Sequence, residues 1–380
     1  MSAWGGSEPT AIRCGTDRFP VTERGDALVP LLERLADPRP VAQAEEYPTG
    51  TLQADGRLDL CKQGLGPDGL ARVLPAAVGS PNVRHLLLGT NTLGADGARA
   101  LAAALPEKHG VETLYLGCNR IDAEGARPLL ERLADDGTVR ALWLKRNPLG
   151  DPGALLVARA LRANPALRTL DLVNTGLTTN GLRALVDVVV AREAPLDRLF
   201  LGGNGLGTDA VPALVRLLRD GGVRELYLAV NRLGDDGAAG LAEAVRDLDG
   251  VVLGLGGNGI GPAGVAALAG ALGGLHTLDL GRPPSERALG GTPNTVGDEG
   301  ARTLAEALPG SPLRRLDLRQ TGVTSRGAKA LLAAVEGGTR LEFLALGAGV
   351  ARRVKRGIAA ALHPASGPHP DIRAIASVYR

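Results

Sequence analysis

Three stretches of this sequence have the spacing of phosphate-binding loops. Gly254, Gly256 and Gly259 match G-x-G-x-x-G, as do Gly64, Gly66 and Gly69. In such a loop the glycines let backbone N–H groups approach a pyrophosphate. Gly322 to Lys329 resembles a phosphate loop, but Ala328 separates Gly327 from the lysine and no Ser or Thr follows. A metal would draw on Cys61, His85 and Cys118, yet a fourth ligand is missing. Asp59, Asp171, Asp279 and Asp317 recur in one register and could act as acid or base. No G-x-S-x-G, H-E-x-x-H or C-x-x-C is present.

All of these candidates fall within one repeating element. Leu86, Leu88, Asn91, Leu93 and Gly94 set a template, L-x-L-x-x-N-x-L-G. Its first leucine recurs at Leu58, Leu86, Leu114, Leu142, Leu170, Leu199, Leu226, Leu253, Leu278, Leu316 and Leu344. Eleven copies at a period near 28 residues make an internal array. The L-x-L triplet has period two, so both leucines enter a core and the middle residue faces away. The Asn that follows (Asn91, Asn119, Asn147, Asn204, Asn231, Asn258 and Asn294) can satisfy turn backbone hidden by stacking. Ala98, Leu101, Ala102 and Leu105 then form the stripe of an amphipathic helix, repeated in later copies. The glycine-rich matches are turns of this repeat. Strands stacked at ~4.8 Å put Cys61 and Cys118 roughly 10 Å apart, too far for a bond between them.

The period and the pattern resemble the ribonuclease-inhibitor type of leucine-rich repeat. The resemblance runs from about residue 50 to residue 380. It implies an α/β solenoid, a right-handed horseshoe of about eleven repeats with a parallel concave sheet and helices outside. It implies a binding role and transfers no functional residue. The chain lacks the many cysteines of ribonuclease inhibitor itself.

The expected organisation is an N-terminal cap or partly ordered segment over residues 1–50 and a solenoid over 51–380. Residues 27–35 read as a helix, and Ala54 to Gly56 as a hairpin turn. Residues 350–362 read as a last helix, and Ile372 to Ile375 as a closing strand in a cap over about 350–380. Residues 281–293 interrupt one repeat as an inserted loop, of the kind that often carries function in solenoids.

The middle residues of the L-x-L triplets should line the concave face. Tyr115, Trp143, Phe200 and Tyr227 take four of these places within five consecutive repeats, in a chain with nine aromatics. With Asp171 between them and Arg146 and Arg198 nearby, they form the expected partner-binding set, because exposed aromatics and arginines suit hot spots. The reading is a non-catalytic module that binds a protein, with no catalytic residue, metal or cofactor. The alternative is an enzyme or small-molecule binder using the same aromatic and acidic groove.

A net charge of +2, from 43 basic and 41 acidic residues, gives no reason to expect nucleic acid or an anionic membrane. Only five of the basic residues are Lys, a bias that suggests a GC-rich bacterial genome. Three cysteines are too few for a disulfide framework. No signal-type run opens the sequence and no window approaches a membrane span of ~20 apolar residues. The expectation is a soluble, cytoplasmic chain.

Overall fold

The computed structural model describes residues 9–22, 25–283 and 289–379. They sort into two compact units, Thr10–Leu196 together with Pro368–Arg380, and Asp197–Gly367.

The first unit opens with the helix Val29–Ala36 and an antiparallel pair. β1 (Glu45–Glu46) pairs with β2 (Thr51–Leu52), which turns through Asp55 and Gly56 into β3 (Arg57–Asp59). β4 (His85–Leu87), β5 (Thr113–Tyr115), β6 (Ala141–Trp143) and β7 (Thr169–Asp171) then add in parallel. Their register sets Leu58 beside Leu86, Leu86 beside Leu114, Leu114 beside Leu142, and Leu142 beside Leu170. Helices Gly66–Gly79, Gly94–Ala104, Ala123–Ala134, Gly150–Ala163 and Thr179–Ala191 follow the strands in turn. Strands of three residues do not persist alone. The stack supplies their partners, and the leucines buried between sheet and helices supply the core.

The second unit repeats the plan. β8 (Arg198–Phe200), β9 (Glu225–Tyr227), β10 (Val251–Gly254), β11 (Leu275–Asp279), β12 (Arg315–Leu318) and β13 (Phe343–Leu346) are parallel neighbours in that order. The long insertion does not disturb them: Leu278 still sits beside Leu316. Part of that insertion, residues 284–288, lies outside the described residues. The helix expected over 350–362 is Arg352–Ala361.

The buried asparagines behave as their chemistry requires. Asn91 Nδ2 donates to the carbonyls of Leu60 and Leu88 at 2.8 and 3.0 Å. Its Oδ1 accepts from the N–H groups of Gln63 and Leu65 at 3.0 and 3.2 Å. Asn119 and Asn147 repeat the pattern one repeat on. Each asparagine thus joins its own turn to the preceding one, using groups that would be costly to bury unpaired. Thr175 and Thr321 take the same place, and their hydroxyls donate to Leu172 O and Leu318 O. The glycine that precedes the helix stripe has a packing reason. A Cβ on Gly125 would lie 2.7 Å from Ala95 Cα of the neighbouring helix.

One expectation fails here. Ile372 and its neighbours form a short helix, Pro370–Ala374, followed by a 3-10 turn at Ala376–Tyr379. Pro370 sits in the first helical turn, where its missing N–H costs nothing and its fixed φ favours the helix.

Candidate binding faces

Each strand turns two side chains away from the core, one on either side of its first leucine. In the first unit these outward residues are apolar or neutral on the central strands. Leu87, Tyr115 and Trp143 follow one another on β4, β5 and β6, with Thr113 and Ala141 beside them. The Tyr115 and Trp143 rings tilt at 38° with centroids 6.3 Å apart, and Lys145 Nζ lies 5.4 Å from the Tyr115 ring centre.

These side chains point outward, yet they are buried. Leu87 is 0 % exposed, Trp143 1 %, Asp171 2 % and Tyr115 3 %. Their cover comes from the same unit. The Thr169 hydroxyl on β7 donates to Asp371 Oδ2 at 2.6 Å. At the other side, Ser377 and Val378 line a cleft of about 290 Å³ with Asp59 and Cys61. A segment fixed at β7 and again beside β3 crosses the strands between, and its Ala374 and Ile375 are themselves buried. The expectation that Tyr115, Trp143 and Asp171 are exposed is therefore corrected: residues 370–378 lie over them. Burial also pushes the Asp171 carboxyl up to about 6, against the pull of Lys145, the Val173 N–H and Arg146.

In the second unit the aromatic pair at this position is half-buried, while Asp317 further along is buried. Phe200 and Tyr227 stack at 4.2 Å between centroids, 3° from parallel. Tyr227 Oη donates to Glu225 Oε2 at 3.0 Å, and burial followed by the Glu225 charge drives its pKa upward. Arg198 is buried and held by Glu225, Nη2 to Oε1 at 2.8 Å and Nε to Oε2 at 2.7 Å. It supports the pair rather than reaching outward. Further along, Arg315 sits 4.4 Å from the Phe343 ring centre. Arg146, half exposed, lies in the turn after β6 with φ +57°, outside the strand column.

The four recurring aspartates share a structural task. Each accepts the N–H two residues on: Asp59 from Cys61 at 2.9 Å, Asp171 from Val173 at 2.8 Å, Asp279 from Gly281 at 2.9 Å and Asp317 from Arg319 at 2.9 Å. Asp279 is pushed up to about 7 by burial and by the Asp317 charge. Asp317 in turn is clasped by Arg319 at 2.8 and 2.5 Å. Among the described residues no group of three or more His, Cys, Asp or Glu could hold a metal ion.

A second structural feature escaped the sequence. Cys14 and Cys118 form a disulfide, with Cα atoms 5.2 Å apart. It pins residues 10–22 along the turns that follow the strands. Arg13 N–H donates to Asn174 Oδ1 at 2.8 Å, Asn174 Nδ2 donates to Ala11 O at 3.0 Å, and Thr22 N–H donates to Gly64 O at 3.0 Å. Arg120 adds contacts to Thr16 and Asp17. The one available sign was Asn174 standing before Thr175, a turn polar group that the repeat pattern did not need. Cys61 is a free thiol, and burial raises its pKa well above the ordinary range, which disfavours the thiolate.

With this geometry in view, a family model described as Leucine Rich repeat matches residues 79–102, 111–130, 163–186, 251–269 and 311–332. The chain is built of leucine-rich repeats. No curated protein matches it in sequence. Among solved structures it is similar to leiomodin-1 actin-binding site 2, at 18% identity and TM-score 0.33, over 42% of this chain and 90% of that one. It is similar to the Rad7 and Elc1 complex in yeast at 16% identity and TM-score 0.47, over 76% and 75%. It is also similar to the TLR13–ssRNA13 complex at 18% identity and TM-score 0.35, over 74% of this chain and 33% of that one. Scores of this size carry no argument about what these leucine-rich repeats bind.

Proposed function

We propose that the chain is a non-catalytic protein-interaction module with repeats of the ribonuclease-inhibitor type, and that it binds its partner on the outward face of the sheet. The supporting observation is the Phe200–Tyr227 stack. Two aromatics are held rigid by three-residue strands, braced by the Glu225–Arg198 ion pair, and left half exposed. Rigid, partly exposed aromatics cost little entropy to bury, which suits an interface anchor. A net charge of +2 supports a protein partner over nucleic acid or an anionic membrane. No helix of the described residues is long and apolar enough to cross a membrane. The Cys14–Cys118 bond favours an oxidising compartment, against the cytoplasmic expectation.

The test is quantitative affinity capture from the native cell with the wild-type chain, the double variant Phe200→Ala/Tyr227→Ala, and Arg302→Ala on a helix as control. A captured protein that is retained by the control and lost by at least tenfold from the double variant supports the reading. Equal capture by all three removes this face from the site.

A further inference from the structure

The residues that cover β4 to β7 have the features of a ligand rather than of a core element. The helix Pro370–Ala374 has five residues, and a helix this short does not hold its shape unaided. Its lead-in, residues 363–369, is exposed throughout and contains Pro364, Gly367 and Pro368. Asp371 accepts a hydrogen bond from the Thr169 hydroxyl, and Ala374 and Ile375 are buried, while Arg373 and Ala376 remain exposed. Asp371 lies in this helix and Ile375 caps its end four residues on, a spacing that a longer helix would carry on one face. The segment is covalently tethered, which gives it a high effective concentration at the face.

We propose that residues 370–378 are a built-in competitor, seated on a protein-binding face formed by Leu87, Tyr115, Trp143 and Thr169. The partner for this face is a protein helix that presents an acidic residue four positions before an aliphatic one. Such a helix repeats both contacts of the segment, and a longer one adds apolar area that five residues cannot. The partner gains the face by displacing the segment. This rests on the reading of the outward sheet face as the binding surface, but it concerns the covered half of that face and is tested without the partner.

Trp143 is the reporter, in a full-length Trp4→Phe chain whose only tryptophan it then is. Ile375→Asp should unseat the segment, so Trp143 emission moves to the red and acrylamide quenching rises, while cooperative unfolding is retained. A synthetic peptide of residues 368–380, added in trans, should bind the Ile375→Asp chain and restore the blue emission. The same peptide should bind the wild-type chain at least tenfold more weakly, because the tethered copy competes. Thr169→Val added to Ile375→Asp should weaken the peptide by several-fold. Should Ile375→Asp lose its cooperative transition, Asp371→Ala carries the same test with the Thr169 hydrogen bond removed. Unchanged Trp143 emission in the unseated chain overturns the proposal, as does equal peptide affinity for both chains, or none for either. A wild-type chain that is dimeric by light scattering, and that turns monomeric with Ile375→Asp, would also overturn it, since a second copy would then supply the segment. None of these outcomes bears on capture through Phe200 and Tyr227.

Discussion

The outward face of β4 to β7 and the outward face of β8 to β13 are built from one pattern, with leucines at matching register and aromatics at the same middle position. They differ at their aromatics. On the first, Tyr115, Trp143 and Asp171 are buried under residues 370–378 of the same chain. On the second, Phe200 and Tyr227 are half exposed and lean on each other. An aromatic column on a solenoid sheet therefore marks a surface able to hold polypeptide. Whether that surface is vacant depends on residues outside the repeat.

The largest expected difference between the two faces is in stability. Trp143→Ala should destabilise by about 3 kcal/mol in urea unfolding, the lower end for a buried tryptophan, because the covering segment can settle into part of the space. Phe200→Ala should cost about 1 kcal/mol or less, since it loses mainly a half-exposed stacking contact. Similar losses at both positions would erase the distinction. Next, Cys14→Ser opens a disulfide that spans 104 residues of the first unit. It should lower that unit's stability by about 2–4 kcal/mol and leave hydrogen exchange in β9 to β12 unchanged. Exchange that rises equally in both units would mean that the bond is not local to the first.

A smaller effect depends on pH. Burial raises Asp171 from 3.8 to about 6 in the folded chain. An acid with its folded value above its unfolded one gives stability that is complete below the unfolded value and lost as pH rises through the folded one. The first unit should therefore lose on the order of 2–3 kcal/mol from this group between pH 4 and pH 7. Asp171→Asn keeps the bond from the Val173 N–H and removes the ionisation. It should stabilise the chain most at pH 8, less at pH 4.5, and do nothing at pH 3, below the unfolded value. Unseating the segment with Ile375→Asp should bring the Asp171 pKa down toward its ordinary value and leave Asp279 near 7, as followed by carboxyl carbon shifts. A fall at both aspartates would mean that the segment shields more than the first face.

The fold was legible because the repeat writes it locally. Leu114 and Leu116 face the core, Asn119 closes the turn, and the next helix presents Ala126, Leu129 and Leu130, all within one period. The insertion could be dismissed from the register for the same reason, since Leu278 and Leu316 still align. Within the candidate site, the outward direction of Tyr115 and Trp143 was also legible, but their burial was not. The cover comes from residues 370–378, which carry no repeat signal and lie about 200 residues away from Thr169 in sequence. Ile372 and Ile375 read as a strand because β-branched residues favour one, whereas Pro370 in the first turn favours the helix. Cys14 was unreadable for the same reason, since its partner is set by where residues 10–22 run and not by spacing.

The most direct test of the contrast is hydroxyl-radical footprinting of the full-length chain, read by mass spectrometry at single residues. Phe200 and Tyr227 should be modified readily, and Tyr115 and Trp143 should be protected at least tenfold after correction for intrinsic reactivity. Ile375→Asp should raise modification of Tyr115 and Trp143 alone. Trp143 modified in the wild-type chain as fast as Tyr227 would contradict the covered face, and with it the difference between the two halves.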